Sequence, residues 1–493
     1  MRIYDVAFYI AIFFLFGMLL GSFFGNEIFL VCILTLCISV FCFFFTQHQF
    51  MEKTGAGCKH KYLAFTSIAL LAGFFYLSWY ASFAFQITAP FSEQLRAEGF
   101  VANVAIRENS QALILKLRKP LYGRIQIVTS RYPEFRYGDI VSFEGEIEKP
   151  EGEFKGYYLS NRIAGVAVFP KIERIAENKG LRILSVLFKF QERFLDGLRR
   201  TLPADEASFA GGLVVGNRSS PVSSTLREDL QKSGTSHLVA LSGYNITIII
   251  KSLMVALGLA SFTRRFRFPL ALIIVAFFVL MVGAQASIVR AALMGVIILL
   301  ASESERLYSA RNAIALTAFF MALWNPFVLA YDIGFQLSFA ALLGIIYLKP
   351  AIERLLHMSR AKGFFSWREH MITTVSAQFA VLPLLLFHFE SFSVAGFFTN
   401  VLILPVIPHT MFLSFITGVA GFVSGVLASS IGFLLHAILT YELTIIQFFA
   451  KIEFLRYNGG GGIAFVIVSY VLIVLFVARM MKKEKTSYAA VQA

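Results

Sequence analysis

The stretch HLVALSGYNITIII, residues 237 to 250, sets His237, Ser242, Asn245 and Thr247 at the head of a run that is otherwise hydrocarbon. The same juxtaposition returns at Gln285 and Arg290 in GAQASIVRAALMG, at Asp332 and Gln336 in YDIGFQLSF, at Gln378, His388 and Glu390 in SAQFAVLPLLLFHFESF, and at Asn400 in GFFTNVLILPVIP. Polar and charged side chains inside a bilayer are costly, so they face the interior of a helix bundle or a wet cavity. His237, Ser242, Asn245, Gln285, Arg290, Asp332, Gln336, Gln378 and Asn400 are therefore candidate lining groups of a hydrated path. Two readings stay open for several of them. Asn245, Gln336 and Gln378 either line water or hydrogen-bond between helices. Ser242, beside Gly243, either lines the path or permits close helix approach. Asp332 either takes part in transport or caps the helix that starts at Ile333. Arg290 lies several residues into an apolar run, where a guanidinium calls for a buried anion or a passing phosphate.

Other chemistries find little footing. His237 and His388 lack the close companion ligands of a zinc site such as HExxH or CxxC. No GxSxG or GxxxxGK[ST] occurs, and no paired intramembrane carboxylates. The expectation is a chain that is not an enzyme, holds no metal or cofactor, and takes any pulling force from a partner. A second constellation lies in the polar region: Lys116, Arg118, Lys119, Arg124, Arg131 and Arg136 interleave with Tyr122, Tyr132 and Tyr137. Cations that track phosphates and rings that stack bases are what a single-strand groove needs. The alternative is a solvated basic face over an aromatic core.

The elements that must position these groups follow from composition. With 57% hydrophobic and 15% charged residues in 493, the chain has more apolar surface than one soluble core uses, which points to an integral membrane protein built of helices. Spans are expected near 7–24, 28–46 and 62–85, forming an N-terminal block over 1–90. From 98 to 176 apolar and polar residues alternate in five candidate strands, FVANVAIR, ALILKLR, GRIQIVTS, GDIVSFEGEIEK and AGVAVFPKIERI, with GEFKGYYLSNR able to hold a short helix. Five strands suit a small OB-like barrel, with an SH3-like barrel or a sandwich as alternatives. Residues 180–202 carry a basic face that includes Arg182, Lys189, Arg193, Arg199 and Arg200 opposite an apolar one, which suits a helix in the headgroup plane.

A second membrane block over 205–480 supplies spans near 236–262, 268–284, 286–302, 312–326, 328–348 and 371–388, followed by a less periodic stretch. Alternate crossing puts the basic loops TRRFR and KPAIERLLHMSRAKGFFSWREH, with the basic tail 481–493, in the cytoplasm, provided that 396–410, with Asn400, Pro405 and Pro408, is re-entrant or broken. The fold expected is a polytopic α-helical membrane protein of about twelve spans, both termini cytoplasmic, with an inserted extracytoplasmic β-barrel. The N-terminal segment reads as a retained anchor. Most of the net charge of +14 belongs to basic loops, a lesser share to an acidic polymer partner. Cys32, Cys37 and Cys42 share one apolar segment and Cys58 lies in a basic loop, so no disulfide forms in the soluble region.

Taken in order, GTSHLVALSGYNITII, GAQASIVRAALMG, ARNAIALTAFFMALWNPFVLAYDIGFQLSFAALLGI and SAQFAVLPLLLFHFESFSVAGFFTNVLILPVIP resemble the competence domain of the ComEC family over roughly 205–480. RYGDIVSFEGEIEKP and GYYLSNRIAGVAVF are similar to that family's N-terminal OB-like domain. The resemblance implies an inner-membrane channel that conducts single-stranded DNA into the cytoplasm during natural transformation. Many members also carry a metallo-β-lactamase-like domain marked by HxHxDH. That motif does not occur here, so a resident nuclease is not expected. The implied partners are single-stranded DNA, membrane lipid, a separate nuclease, a DNA receptor and a cytoplasmic helicase or strand-binding protein. Two other readings compete. A transporter of smaller anionic solutes or envelope intermediates would use the same polar helix breaks without needing the β-domain, and an envelope scaffold would leave Arg290 and Gln336 without a purpose.

Overall fold

The computed structural model describes residues 3–24, 57–107, 109–216, 220–241, 243–259, 263–303, 309–356 and 367–492. The expected span 28–46 and Ser242 lie outside these. The chain divides into two units, Met1–Ser185 with Val289–Asp332, and Val186–Ile288 with Ile333–Ala493.

In the first unit, α1 (Ile3–Phe24) and α2 (Gly57–Ala84) pack backbone to backbone. A Cβ on Gly17 would strike the Leu70 carbonyl and one on Gly73 the Phe14 carbonyl, so glycine alone permits this approach. Phe14 also packs edge-on against Phe319, 5.2 Å between ring centres, which adds α10 (Ala310–Trp324). The short α11 (Val328–Tyr331) is tied to α1 by the Tyr331 hydroxyl, which donates to the Ser22 carbonyl at 3.1 Å. Most of α9 (Ala286–Glu303) belongs to this unit as well.

The alternating segment forms a six-stranded sheet in the order β5-β3-β2-β1-β4-β6. Its strands are β1 (Gln94–Ile106), β2 (Ser110–Leu117), β3 (Arg124–Ser130), β4 (Ile140–Glu146), β5 (Gly165–Val168) and β6 (Lys171–Ala176). One strand more than expected arises because AGVAVFPKIERI breaks at Phe169, where φ is +48, and at Pro170, which cannot donate to a ladder. Its first half runs parallel to β3, its second half antiparallel to β4. The two halves are the sheet's edges, and a lone bridge joins Val166 of β5 to Glu148, just after β4; the ladder does not close into a barrel. The inward-facing alternate residues Val101, Leu113, Leu115, Ile125, Ile127, Val141 and Phe143 make its core. Segment 152–162 holds the expected helix, α3 (Lys155–Ser160).

This sheet is clasped to the helices of its unit. The Arg162 guanidinium lies over the rings of Tyr80 (5.4 Å) and Trp324 (5.7 Å) and donates to the Trp324 carbonyl. Asn325 Nδ2 donates to the Ser160 carbonyl at 2.7 Å. Trp79, Tyr80, Phe83 and Trp324 crowd the ends of α2 and α10, a composition that suits the bilayer interface.

In the second unit, α4 (Arg182–Thr201, from Val186 on) buries Phe194, Leu195 and Leu198 and exposes its basic stripe. Two helices that the sequence pattern does not announce follow, α5 (Ala204–Val215) and α6 (Ser224–Lys232). Then come α7 (Gly243–Leu259), α8 (Arg264–Met281), α12 (Ile333–Leu343), a π-helical turn (Gly344–Leu348), α13 (Lys349–Leu355), α14 (Trp367–Phe389), α15 (Ala395–Ile403), α16 (Ile407–Ala420), α17 (Gly425–Ala450) and α18 (Ile463–Gln492), with a small ladder between β7 (Ser391–Ser393) and β8 (Arg456–Asn458).

Among the described residues five helices are long and apolar enough to cross a bilayer: Phe65–Ala84, Ile333–Leu355, Met371–Phe389, Gly425–Ala450 and Ile463–Lys482. The pair α15 and α16, bent by 57°, makes a sixth if it is one span. The other expected crossings, at 7–24, 236–262, 268–284, 286–302 and 312–326, are apolar helices of 10–17 residues, short of the roughly 20 that a bilayer core of about 30 Å asks for. The 236–262 segment shortens because 235–241 is a turn and the helix starts only at Gly243. The 328–348 segment is divided at Asp332, whose backbone is extended (φ −94°, ψ 103°).

Candidate functional site

In the second unit the first and fourth polar islands, with Ser287 of the second, meet around the turn 233–241. Ser233 and Thr235, both fully buried, share a hydroxyl hydrogen bond at 2.7 Å, and Gly234 between them adopts φ +72°, open to glycine at little cost. That left-handed residue lets the turn lie on the entry to α15. A Cβ at Gly234 would stand 2.9 Å from Gly396 Cα, and the Ser393 hydroxyl donates to the Lys232 carbonyl at 2.6 Å. The first and fourth islands therefore meet backbone to backbone, with the Gln378 amide beside them: its Nε2 is 3.2 Å from where a Gly396 Cβ would be.

The second island joins through Leu241, whose carbonyl accepts from the Ser287 hydroxyl at 2.9 Å. Gln285 lies close by, its Nε2 3.8 Å from the Cβ position of Gly216. The third island joins the fourth where Gln336 Oε1 meets His388 Nε2 at 2.9 Å. Just beyond, the π-helical turn begins at Gly344, which packs against Ala380 and the Ser376 carbonyl of α14. Such single π turns are frequent at functional sites because they misalign the backbone ladder.

The candidate lining groups divide by partner. Asn245 is 1% exposed and its Nδ2 donates to the Leu213 carbonyl of α5 at 3.0 Å, so it joins α7 to α5. Gln336 is likewise engaged with His388. For these two the interhelical hydrogen bond is what is seen. Gln378 Oε1 and Asn400 Oδ1 are different: both are buried and have no hydrogen-bond partner among the described residues. Asn400 is 3% exposed and stands in the last turn of α15, after which the 57° bend follows. A buried amide oxygen without a partner is costly unless water or a ligand meets it. His237 lies in the turn 236–239, and Asp332 directly precedes α12, the position expected of a cap. Arg290 is buried in the second turn of α9, in the other unit.

Sequence reasoning overlooked a second set of buried polar groups. Glu442 of α17 is fully buried and accepts from the Thr410 hydroxyl at 2.7 Å. Ser414 and Thr417 continue the Thr410 face of α16 at helical spacing, both fully buried, with hydroxyls that have no partner among the described residues. Glu206 of α5, 7% exposed, accepts from Thr440 at 3.1 Å and meets His436 Nδ1 at 2.6 Å. The signal was present: a lone acid in TYELT, and the pair Asp205–Glu206 opening a short helix otherwise made of small and apolar residues.

In the first unit the basic and aromatic residues of the sheet fall at opposite ends of β3, seven residues or about 20 Å apart. At one end Lys116 and Arg124 are cross-strand partners, Lys119 and Tyr122 lie in the connecting loop, and Arg118 is paired with Glu98 at 3.6 Å. Burial and the charge of Arg162 hold Arg124 below the usual guanidinium range. Like charges placed opposite each other on a ladder disfavour it unless an anion lies between them. At the other end Arg131 lies 5.7 Å over the exposed Tyr132 ring, and Arg136 is exposed. Tyr137 is not a free platform: it packs on Phe100 at 5.6 Å and against Gly180. Phe135 belongs to the core under Arg174.

Comparison with known proteins bears on the helical part. A family described as "Competence protein" matches residues 213–483. ComE operon protein 3 of Bacillus subtilis (strain 168) is 29% identical over 229 residues, 46% of this chain and 28% of that protein. The similar region thus spans less than a third of that relative. No solved structure matches.

Proposed function

Since residues 213–483, more than half of 493, match it, the chain belongs to the competence protein family, and we propose that this membrane protein conducts single-stranded DNA into the cytoplasm during natural transformation. The observation that carries the proposal is the meeting, in one unit, of the first and fourth polar islands with Ser287 of the second and Gln336 of the third, the Gln378 and Asn400 oxygens being left for water and Asn400 lying next to a helix break. Broken helices lend backbone dipoles to a hydrated path at membrane depth, which a polyanion requires.

The shorter apolar helices complete, in this reading, about twelve crossings of the cell (inner) membrane with both termini cytoplasmic. The sheet domain acts as an OB-like module outside the membrane. Its two edges are halves of one segment, which supports that reading, and the Lys116–Arg124 end takes phosphates. The chain's part is transport and not catalysis, with a separate nuclease, a DNA receptor and a cytoplasmic helicase or strand-binding protein as partners. A second reading, transport of smaller anionic solutes or envelope intermediates, is favoured by one observation, the engagement of Asn245 and Gln336 in interhelical bonds that narrow any path.

A clean deletion separates the two. Cells are scored for surface-bound DNA and, independently, for transformation by added DNA. Binding retained with internalisation lost, restored by the gene in trans, is the expected result. Normal internalisation in the deletion would sink the proposal and leave the small-solute reading.

A further inference from the structure

We propose that the cleft between α4 and the turn joining α16 to α17 is a binding site for the headgroup of an anionic phospholipid. The cleft encloses about 800 Å³, enough for a headgroup and the first carbons of its chains. One wall is built by helical spacing: Lys189, Arg193 and Arg200 follow one another at four and seven residues and so share a face of α4, spread over about 16 Å. Among the described residues none of the three forms an ion pair. One acid, Asp196, also lines the cleft, and its carboxylate is engaged at 3.2 Å with Arg199, which does not line it. Three cations therefore line one cavity whose single lining carboxylate is paired with a fourth, Arg199.

The floor is backbone. Gly197 and Gly421 approach so closely that a Cβ on Gly421 would lie 2.9 Å from Gly197 Cα, which leaves room for a ligand where side chains would otherwise meet. Gly425 and Ala428 line the far side in the first turn of α17, and the N–H end of that 26-residue helix adds to the positive field.

The remaining lining favours lipid over nucleic acid. Val186, Phe190 and Phe422 form an apolar wall. The two rings pack on each other, 5.3 Å between centres, and so are not free platforms for bases, which strand-binding grooves require. Beside the cleft Val423 and Val426 are 80% and 79% exposed, an apolar surface that acyl chains would cover. Cations above, hydrocarbon beside and a cavity between reproduce the layering of a headgroup region. The inference does not depend on what the chain transports.

The test uses the full chain in lipid nanodiscs. Retention of phosphatidylglycerol against phosphatidylcholine is read by native mass spectrometry for the wild type, for Lys189→Gln/Arg193→Gln/Arg200→Gln, and for Lys171→Gln/Lys179→Gln/Arg182→Gln, which removes as many charges outside the cleft. Removing one cation weakens anionic-lipid association about fivefold, so the cleft variant is expected to lose about a hundredfold in preference while the other triple variant keeps it. Arg193→Lys/Arg200→Lys, which preserves the charge, should retain the preference and guards against loss through misfolding. Equal retention of the two lipids by the wild type, or equal losses in the two triple variants, would overturn the proposal. So would uptake of a single-stranded oligonucleotide, in phosphatidylcholine discs, that the cleft variant alone abolishes.

Discussion

Replacing Gly234 with alanine probes the junction where the islands meet. Residue 234 stands at φ +72°, and its new Cβ would lie 2.9 Å from Gly396 Cα and 3.3 Å from Ser393 Cβ. A left-handed backbone costs a non-glycine residue about 1–2 kcal/mol, and a methyl forced between backbones about 1–3 kcal/mol more. Together these disfavour the assembled junction by about 2–5 kcal/mol, and at about 1.4 kcal/mol per factor of ten the lower bound is a drop of about 30-fold. Gly396→Ala is the milder neighbour: its Cβ meets Gln378 Nε2 at 3.2 Å and Gly234 Cα at 3.3 Å without a left-handed backbone. Gly462→Ala, with nothing within 4 Å, is the control. Transformation frequency, normalised to the amount of chain in the membrane fraction, should fall by at least about 30-fold for Gly234→Ala and by less for Gly396→Ala. Gly462→Ala should match the wild type. If Gly234→Ala transforms like Gly462→Ala at equal membrane levels, the junction is not needed for uptake and the reasoning fails.

Three further outcomes follow from the same geometry. Asn245→Leu removes the α7–α5 bond and should lower thermal stability in detergent by about 0.6–1.7 kcal/mol; a change above about 3 kcal/mol would mean that Asn245 does more than join two helices. Gln378→Leu and Asn400→Leu take away oxygens that have no partner among the described residues, so the melting midpoint should hold or rise while transformation falls; unchanged transformation would remove both from the path. Lys116→Gln/Lys119→Gln/Arg124→Gln in the full chain should reduce the slope of log affinity against log salt for a single-stranded oligonucleotide by about 2, at about 0.7 for each phosphate that is no longer neutralised. An unaltered slope would move binding to the Arg131–Arg136 end or out of the domain.

What the sequence made legible was whatever a local pattern encodes. Alternation gave the strands, and basic periodicity gave α4, because both record which face of an element is wet. Phe169–Pro170 shows the limit: the proline was visible, yet that the two halves would go to opposite edges depends on β3 and β4, far away in the chain. The span at 236–262 was read too long because Leu238, Val239 and Leu241 are apolar and buried although their backbone turns. Hydropathy does not distinguish a buried turn from a buried helix. The 12-residue α5 escaped notice because it is buried on all sides and therefore has no stripe to betray a period.

The site was legible as a list of residues and not as a set of pairings, since a partner across a bundle leaves no local trace. That distinction bears on whether a bonded amide can belong to a conduit. An interhelical hydrogen bond in a bilayer is worth about 0.6 kcal/mol on average and about 1.7 at most. The corresponding ratios of closed to open are about 3 to 1 and about 16 to 1. Asn245 and Gln336 therefore release their partners often, and the bonds seen on them bear weakly on whether water reaches them. Backbone contact is stiffer. Gly234 and Gly396 touch without intervening side chains, and nothing short of moving the turn 233–241 relative to α15 separates them. A path between the first and fourth islands would have to open there, and for such a path the energetics of the two glycines weigh more than the strength of either amide bond.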